Sequence, residues 1–192
     1  MIIACLGDSI TAGSPLWDPD PAVRAQIPEP DERSQWMWWA AQIAPQLEFR
    51  NFGVNTQRTD QIAARFEVAV EGADALIVQG GINDIVQRQP VEGAAQNLAG
   101  MAERALGLGL RVGIANTLPW NNGDARAAQD IARLNELVAA IAAQLGVPLY
   151  PFNETLADQA QPHRMPAEWT DDGNHPSVEG HRLLGERAFF VP

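Results

Sequence analysis

Short apolar runs alternate along the chain with longer segments in which apolar residues recur every three or four positions. The short runs are bounded by Gly, Pro, Asn or Asp, as buried strands commonly are, and the longer segments have the period of amphipathic helices. The pattern predicts five strands, over Ile2–Gly7, Leu47–Phe52, Ala75–Gln79, Arg111–Asn116 and Val147–Phe152. It predicts five helices, over Ser34–Ala44, Thr59–Val70, Val91–Leu108, Ala125–Leu145 and Pro176–Phe189.

This alternation of strands and helices indicates an α/β fold in which helices cover a parallel sheet. The fourth helix is the clearest, because Ile131, Leu134 and Val138 lie on one apolar stripe and Gly146 follows where the helix should end. A chain of 192 residues is long enough to build one full hydrophobic core. We therefore expect a single domain over residues 1–192.

Residues 14–33 do not follow the alternation. They include five of the fourteen prolines, several acidic residues and few apolar ones, which predicts an irregular loop. Compact domains seldom keep so long an irregular connection without a use. The loop is therefore either a lid over a site or a disordered excursion. Because it leaves the first strand so soon, we predict that it forms one wall of a substrate pocket, with Trp17 among its contacts.

Polar turns that contain glycine follow the first three predicted strands. Ligands of parallel sheets bind beyond the carboxyl ends of the strands, so these turns should line one site. A further polar turn precedes the last helix. Each turn alone has an alternative role as a tight turn or a helix cap. The four segments are Gly7-Asp8-Ser9-Ile10-Thr11, Asn51-Phe52-Gly53-Val54-Asn55, Gly80-Gly81-Ile82-Asn83-Asp84 and Asp171-Asp172-Gly173-Asn174-His175-Pro176.

Together these turns contain the groups of a serine hydrolase. Ser9 is the candidate nucleophile and His175 the candidate general base. Asp172 stands three residues before His175, a spacing that brings both side chains to the same side of a helical turn, where the carboxylate can orient the imidazole. Asp171 is the alternative carboxylate, and Pro176 keeps His175 in a loop ahead of the last helix.

A nucleophilic attack on an ester also needs donors for the oxyanion that develops on the carbonyl oxygen. The backbone N–H groups of Ser9 and Gly53 and the side-chain amide of Asn83 are the candidate donors. Glycine at position 53 would let the substrate oxygen approach the backbone closely.

The four turns resemble the blocks of the SGNH hydrolases, also called GDSL-type lipases and esterases, and they follow in the same order. The matching residues are Gly7-Asp8-Ser9, Gly53, Gly81-Ile82-Asn83-Asp84 and Asp172-Gly173-Asn174-His175. The resemblance implies a flavodoxin-like three-layer α/β/α sandwich with a five-stranded parallel sheet of order 2-1-3-4-5. It also implies ester hydrolysis with no metal or other cofactor. Many members have a second glycine two residues after the first in the second block, whereas this chain has Asn55.

Composition restricts the classes of partner that we expect and the expected location of the protein. The net charge of −11 repels phosphate backbones, which argues against nucleic acid as the main partner and favours a neutral small-molecule ester. No apolar run approaches the length of a membrane span. Lysine is absent, which excludes Schiff-base and P-loop chemistry. The lone Cys5 lies in an apolar run and is predicted to be buried. We expect a cytoplasmic protein, unless a secretion leader preceded this sequence.

The residues leave the substrate class open. We favour a serine esterase that hydrolyses short-chain carboxylic esters through an acyl-enzyme intermediate. Lysophospholipase, acyl thioesterase and carbohydrate deacetylase activities stay possible on the same site, because acyl and leaving-group preferences depend on loops. A non-catalytic small-molecule binding module is the other class. Asn55 and Trp120 join Trp17 as candidate substrate contacts, and His163 and His181 are expected to be exposed or hydrogen-bonded.

Overall fold

A computed structural model describes residues 1–192 and contains one sheet of five parallel strands. The strand order is 2-1-3-4-5, so the predicted topology is confirmed. The strand that carries the candidate nucleophile therefore has neighbours on both sides, and strand 2 lies at one edge. The strands are β1 (Ile2–Gly7), β2 (Glu48–Gly53), β3 (Ala75–Val78), β4 (Arg111–Ala115) and β5 (Leu149–Tyr150).

Helices cover both faces of this sheet. They are α1 (Ser9–Ala12), α2 (Pro21–Arg24), α3 (Trp36–Ile43), α4 (Thr59–Ala63), α5 (Phe66–Val70), α6 (Ile82–Val86), α7 (Val91–Gly107), α8 (Ala125–Leu145), α9 (Phe152–Leu156) and α10 (Val178–Leu183). Single turns of 3₁₀-helix lie at Glu32–Ser34 and Ala167–Trp169, and α10 continues as a π-helical turn over Leu184–Ala188.

The two faces of the sheet have separate apolar cores. Alternate residues of β1 point to opposite faces: Leu6 joins the core under α7 and α8, which contains Leu98. Cys5 joins the other core, which contains Trp36 of α3. The arrangement is a three-layer sandwich, and α1 begins at the carboxyl edge of the sheet. Cys5 is fully buried, and burial raises the pKa of its thiol.

The predicted elements agree best with the structure where the capping residues of a helix are clear in the sequence. Helix α8 has the predicted bounds because Asp124 caps its first turn through a bond to Ala127 N and Gly146 ends it at φ 66°. The helix predicted over 59–70 is instead two helices, α4 and α5. The last strand is shorter than predicted, with only two residues in β5. Prolines flank it on both sides and cannot donate hydrogen bonds to the sheet.

Residues 14–33 fold against the protein, so the interpretation as a disordered excursion is wrong. Asp31 N donates to Leu16 O at 2.8 Å, and Ser34 Oγ donates to Gly13 O at 2.7 Å. These bonds bring the two ends of the segment together, and α2 lies between them. No helix of the protein is both long enough and apolar enough to cross a bilayer.

Candidate active site

The candidate nucleophile stands where β1 gives way to α1. Asp8 caps this short helix, since its Oδ1 accepts from Ile10 N at 3.0 Å. Ser9 is the first helical residue and is 4% exposed. Its N–H has no acceptor within the helix, as is general for first-turn amides. A Cβ on Gly7 would lie 2.2 Å from Thr11 Oγ1, so only glycine allows the chain to turn so tightly there.

A chain of buried hydrogen bonds holds the turn between β1 and α1 in place. Gln79, directly after β3, donates to Asp8 Oδ2 at 3.2 Å and accepts from Thr11 Oγ1 at 2.9 Å. Complete burial raises the pKa of Asp8 to about 6, although the bonds from Ile10 N–H and Gln79 oppose this shift. Asp8 fixes the start of α1, where Ser9 stands, because its side chain caps the helix.

The structure brings Ser9, His175 and Asp172 into one line of contacts. His175 Nε2 lies 3.1 Å from Ser9 Oγ, and His175 Nδ1 lies 2.7 Å from Asp172 Oδ2. An ionised carboxylate can only accept hydrogen bonds, so Nδ1 carries the proton and Nε2 is free to accept from the serine hydroxyl. The geometry is that of a nucleophile, its base and an orienting carboxylate.

Hydrogen bonds keep Asp172 charged. Partial burial alone would raise the pKa of Asp172, but bonds from the His175 ring and from two backbone N–H groups lower it below its usual value. Its Oδ1 accepts from Asn174 N and His175 N, each at 2.8 Å. The carboxylate thus holds both the ring and the backbone of the histidine turn.

The loop after β4 supports the histidine turn from outside. Asn122 Nδ2 donates to Asp172 O at 2.7 Å and to Asn174 Oδ1 at 2.9 Å. Trp120 Nε1 also donates to Asn174 Oδ1. These contacts join segments about fifty residues apart in sequence, so sequence reasoning missed the role of Asn122. They also give Trp120 a supporting contact that was not predicted.

The third predicted donor, Asn83, faces the loop after β2. Its Nδ2 donates to Gln57 O at 3.0 Å, which leaves the second N–H of the amide free. Gly81 begins this turn at φ 113°, a conformation that favours glycine. Below it, Asp84 accepts from Thr59 N at 3.0 Å and from Thr59 Oγ1 at 2.8 Å, which ties α6 to the start of α4.

Gly53 does not have the predicted role as a free donor. Its N–H already donates to Asn51 Oδ1 at 2.8 Å. A Cβ at this position would lie 2.0 Å from Ala12 N. Glycine is therefore required so that α1 can pack closely on β2, and its N–H has an acceptor within its own strand.

Thr56 is a residue that sequence reasoning missed. It adopts φ 65°, which is rare for a β-branched residue, and its N–H has no acceptor in the protein. It directly precedes Gln57, whose carbonyl binds Asn83. Because positions with positive φ are usually predicted from glycine, nothing in the sequence marked Thr56.

The three predicted substrate contacts lie in different surroundings. Asn55 lines a cavity of about 410 Å³ whose other wall includes Asp18 and Val23 of the 14–33 segment. Trp17 packs against the guanidinium of Arg24, whose Cζ is 4.5 Å from the ring centroid. Trp120 supports the histidine turn. Of the three predicted contacts, Asn55 is therefore the one that lines the cavity next to the 14–33 segment.

The remaining histidines differ from each other. His163 is exposed, as expected. His181 is fully buried, and neither of its ring nitrogens has a hydrogen-bond partner, so the expectation that it would be exposed or hydrogen-bonded is wrong. Burial, and to a lesser extent the charge of His175, lowers the pKa of His181 to about 3. No three His, Cys, Asp or Glu side chains are grouped in a way that could hold a metal ion.

Comparison with protein-family models gives one match, to the GDSL-like lipase/acylhydrolase family, over residues 5–183. The chain belongs to this family. It is an ester hydrolase whose family match covers both the nucleophile turn and the histidine turn. No curated protein sequence matches it significantly.

Solved structures of G-D-S-L family proteins and of an esterase share the fold. A G-D-S-L family lipolytic protein from Desulfitobacterium hafniense is 23% identical, with a TM-score of 0.79 over 96% of this chain and 95% of the other. One from Veillonella parvula is 22% identical, with a TM-score of 0.77 over 96% and 94%. An acetyl xylan esterase from Geobacillus stearothermophilus is 17% identical, with a TM-score of 0.73 over 97% and 91%.

Proposed function

We propose that the protein is a serine esterase that hydrolyses short-chain carboxylic esters through an acyl-enzyme intermediate. The observation that carries this proposal is the unbroken contact line from Ser9 Oγ to His175 Nε2, at 3.1 Å, and from His175 Nδ1 to Asp172 Oδ2, at 2.7 Å. Both distances are within the reach that proton transfer requires.

In the first half-reaction, Ser9 Oγ attacks the ester carbonyl while His175 Nε2 takes the hydroxyl proton. The tetrahedral intermediate then collapses, the ester C–O bond breaks, and His175 returns the proton to the departing alkoxide. The alcohol leaves and the acyl group stays on Ser9. Asp172 stays ionised throughout and stabilises the imidazolium that forms between the two proton transfers.

In the second half-reaction, water takes the place of the alcohol. His175 removes a proton from the water, the resulting hydroxide attacks the acyl carbonyl, and the bond to Ser9 Oγ breaks. The carboxylic acid leaves and His175 returns the proton to Ser9. No step needs an oxidant, a reductant or a second substrate other than water.

Three N–H groups are the donors we propose for the oxyanion. The Ser9 N–H is free at the start of α1, and one N–H of the Asn83 amide is free beside Gln57. The Thr56 N–H replaces that of Gly53 as the third donor, because Gly53 is bonded to Asn51 Oδ1. Aligned donors of this kind stabilise charge that develops only in the transition state.

The surroundings favour a small neutral ester. We propose the cavity beside Asn55, which Gly53 and Arg65 also line, as the space for part of the substrate; its volume of about 410 Å³ is near the lower end for small-molecule sites. The net charge of −11 disfavours anionic substrates. We retain the proposal that the 14–33 segment, through Asp18 and Val23, forms one wall of the pocket for the acyl or leaving group.

A substrate panel tests this proposal. We expect wild-type protein to hydrolyse p-nitrophenyl esters with short acyl chains faster than long-chain esters, acyl thioesters or acetylated sugars. Ser9→Ala should lower kcat by about 10³- to 10⁶-fold. Ser14→Ala is the matched control, since it removes a nearby hydroxyl outside the contact line, and its kcat should stay within about twofold of wild type.

Active-site labelling gives an independent measurement. A phosphonate should modify Ser9 alone in wild-type protein, as read by peptide mass spectrometry, and should not modify Ser9→Ala. Full hydrolytic activity in Ser9→Ala would overturn the mechanism. A faster rate on thioesters or acetylated sugars than on simple esters would keep the mechanism and replace the substrate class.

A further inference from the structure

Arg65 has an unusual position between α4 and α5. The helix predicted over 59–70 is interrupted there, with φ −98° and ψ 3° at Arg65. Its side chain turns toward the carboxyl edge of the sheet and is half-buried. Because the helix is interrupted at this residue, the guanidinium can reach acceptors at the carboxyl edge of the sheet.

The guanidinium makes three hydrogen bonds to three separate segments. Nη2 donates to Gly7 O at 3.0 Å, Nη1 donates to Phe52 O at 2.7 Å, and Nε donates to Gln57 Oε1 at 2.8 Å. The first two acceptors are carbonyls at the ends of β1 and β2, directly before the nucleophile turn and Gly53. The third is the side chain of the residue that follows Thr56.

No carboxylate pairs with Arg65. Eight other arginines form ion pairs with Asp or Glu, but Arg65 is not among them. Burial lowers the pKa of Arg65, and no negative neighbour opposes this shift. Three hydrogen bonds to neutral oxygens, rather than an ion pair, offset the cost of burying this charge.

The three acceptors connect Arg65 to both proposed oxyanion donors outside α1. Gln57 is held through its side chain by Arg65, and its carbonyl accepts from Asn83 Nδ2 at 3.0 Å. Thr56 lies one residue earlier, in its left-handed conformation. The position of the Thr56 N–H and of the Asn83 amide relative to Ser9 therefore depends on where Arg65 holds Gln57.

We propose that Arg65 is a positioning residue, which fixes the Thr56 N–H and the Asn83 amide at the distance from Ser9 that the oxyanion requires. This inference rests on the proposed function, since it assigns a role within the same site. Arginine suits the task because its planar guanidinium presents donors in three fixed directions, whereas a lysine ammonium acts as a point charge.

The experiment compares Arg65→Lys and Gln57→Leu with Arg50→Met as a matched control. Arg65→Lys keeps the charge but cannot hold three acceptors in one plane, and Gln57→Leu removes the acceptor of Nε. Arg50 also lies on the β2 side of the sheet, but it binds Glu48 and Glu71 O, away from the carboxyl edge. Each protein is assayed on a short-chain p-nitrophenyl ester and titrated with an alkyl boronic acid.

We expect Arg65→Lys and Gln57→Leu to lower kcat by about 10- to 100-fold with KM within about threefold, since full loss of one oxyanion donor costs about 10²- to 10³-fold. The affinity for the boronic acid, which forms a tetrahedral adduct on Ser9, should fall by the same factor as kcat/KM. Arg50→Met should keep all three constants near wild type.

A purely structural role predicts a different result. If Arg65→Lys lowers the melting temperature but the folded protein keeps its kcat and its boronic acid affinity, the inference is wrong. It is also wrong if KM rises while kcat stays constant. Failure of the proposed function is recognised separately, because Ser9→Ala would then keep wild-type activity whatever the Arg65 variants do.

Discussion

The nucleophile turn (residues 7–11) and the base turn (residues 170–176) contribute the two ends of the proposed proton path, yet different parts of the protein hold them. The nucleophile turn continues a central strand, and Asp8 and Ser9 are 0% and 4% exposed. In the base turn the side chains of His175 and Asp172 are 20% and 37% exposed. Its supports are polar side chains of a loop, Asn122 above all.

The difference means that Ser9 and His175 depend on different parts of the structure for their positions. The position of Ser9 follows from the sheet itself, so it should change only when the fold is damaged. The position of His175 depends on surface hydrogen bonds that add little to global stability, because exposed polar contacts are individually weak. Substitutions in the two turns should therefore affect stability and catalysis in opposite proportions.

The largest expected effect comes from removing both ends of the proton path. His175→Ala should lower kcat about as much as Ser9→Ala, by about 10³- to 10⁶-fold, because neither group acts without the other. The double variant should be little worse than either single variant. Steady-state kinetics on one ester measures all three, and losses that multiply would show that the two turns act independently.

A matched pair of polar substitutions tests the contrast directly. Gln79→Leu leaves Asp8 Oδ2 and Thr11 Oγ1 without partners in a buried site, which costs about 1–3 kcal/mol of unfolding free energy. The melting temperature should fall by about 2–10 °C, with kcat within about threefold. Asn122→Ala should do the reverse, lowering kcat by about 3- to 10-fold with little change in melting temperature.

Thermal unfolding and steady-state kinetics on the same preparations decide this comparison. If Asn122→Ala lowers the melting temperature as much as Gln79→Leu does, the base turn is part of the cooperative core. The proposed division between the two turns would then be wrong.

The last expected effect is on acid stability rather than on catalysis, and it arises near the base turn. His181 stays neutral in the folded protein, because burial lowers its pKa to about 3, whereas the unfolded chain takes up a proton below about pH 6.5. Stability should therefore fall between about pH 6.5 and pH 3, by at most about 1.4 kcal/mol per pH unit from this residue.

His181→Leu removes this dependence, so its unfolding free energy should change less than that of wild type between pH 7 and pH 5. Urea denaturation at the two values measures the difference. His163→Gln is the control, because it removes an exposed histidine and keeps the buried one. An equal slope in wild type and His181→Leu would show that another group causes the acid sensitivity.

Sequence patterns predicted the sheet and its long helices because their signals are local. Asp124, Gly146 and the apolar stripe between them mark α8 without reference to any other element. The candidate triad was also predictable, because Ser9, Asp172 and His175 stand in short motifs at fixed spacing. In each case the residue types and their spacing along the chain were sufficient for the prediction.

The parts that were missed depend on contacts between distant segments. Gly53 has the expected residue type, but its N–H is occupied by Asn51, which only the folded geometry reveals. Arg65 looks like one more polar position on an amphipathic helix. Its role depends on carbonyls of β1 and β2 that no periodicity connects to it. One-turn helices such as α1 were missed because their sequences also suit tight turns.

The order of the sheet leaves β2 at its edge, beside the 14–33 segment. Edge strands can recruit strands of other molecules through unpaired N–H and C=O groups. In β2 the last such N–H, on Gly53, is occupied by the strand's own Asn51. A variant with a shortened 14–33 segment would expose the carboxyl end of this edge, where the segment and residues 51–55 line one cavity. Such a variant would gain a tendency to associate through β2, so its solution mass must be known before a change in substrate preference is assigned to the pocket.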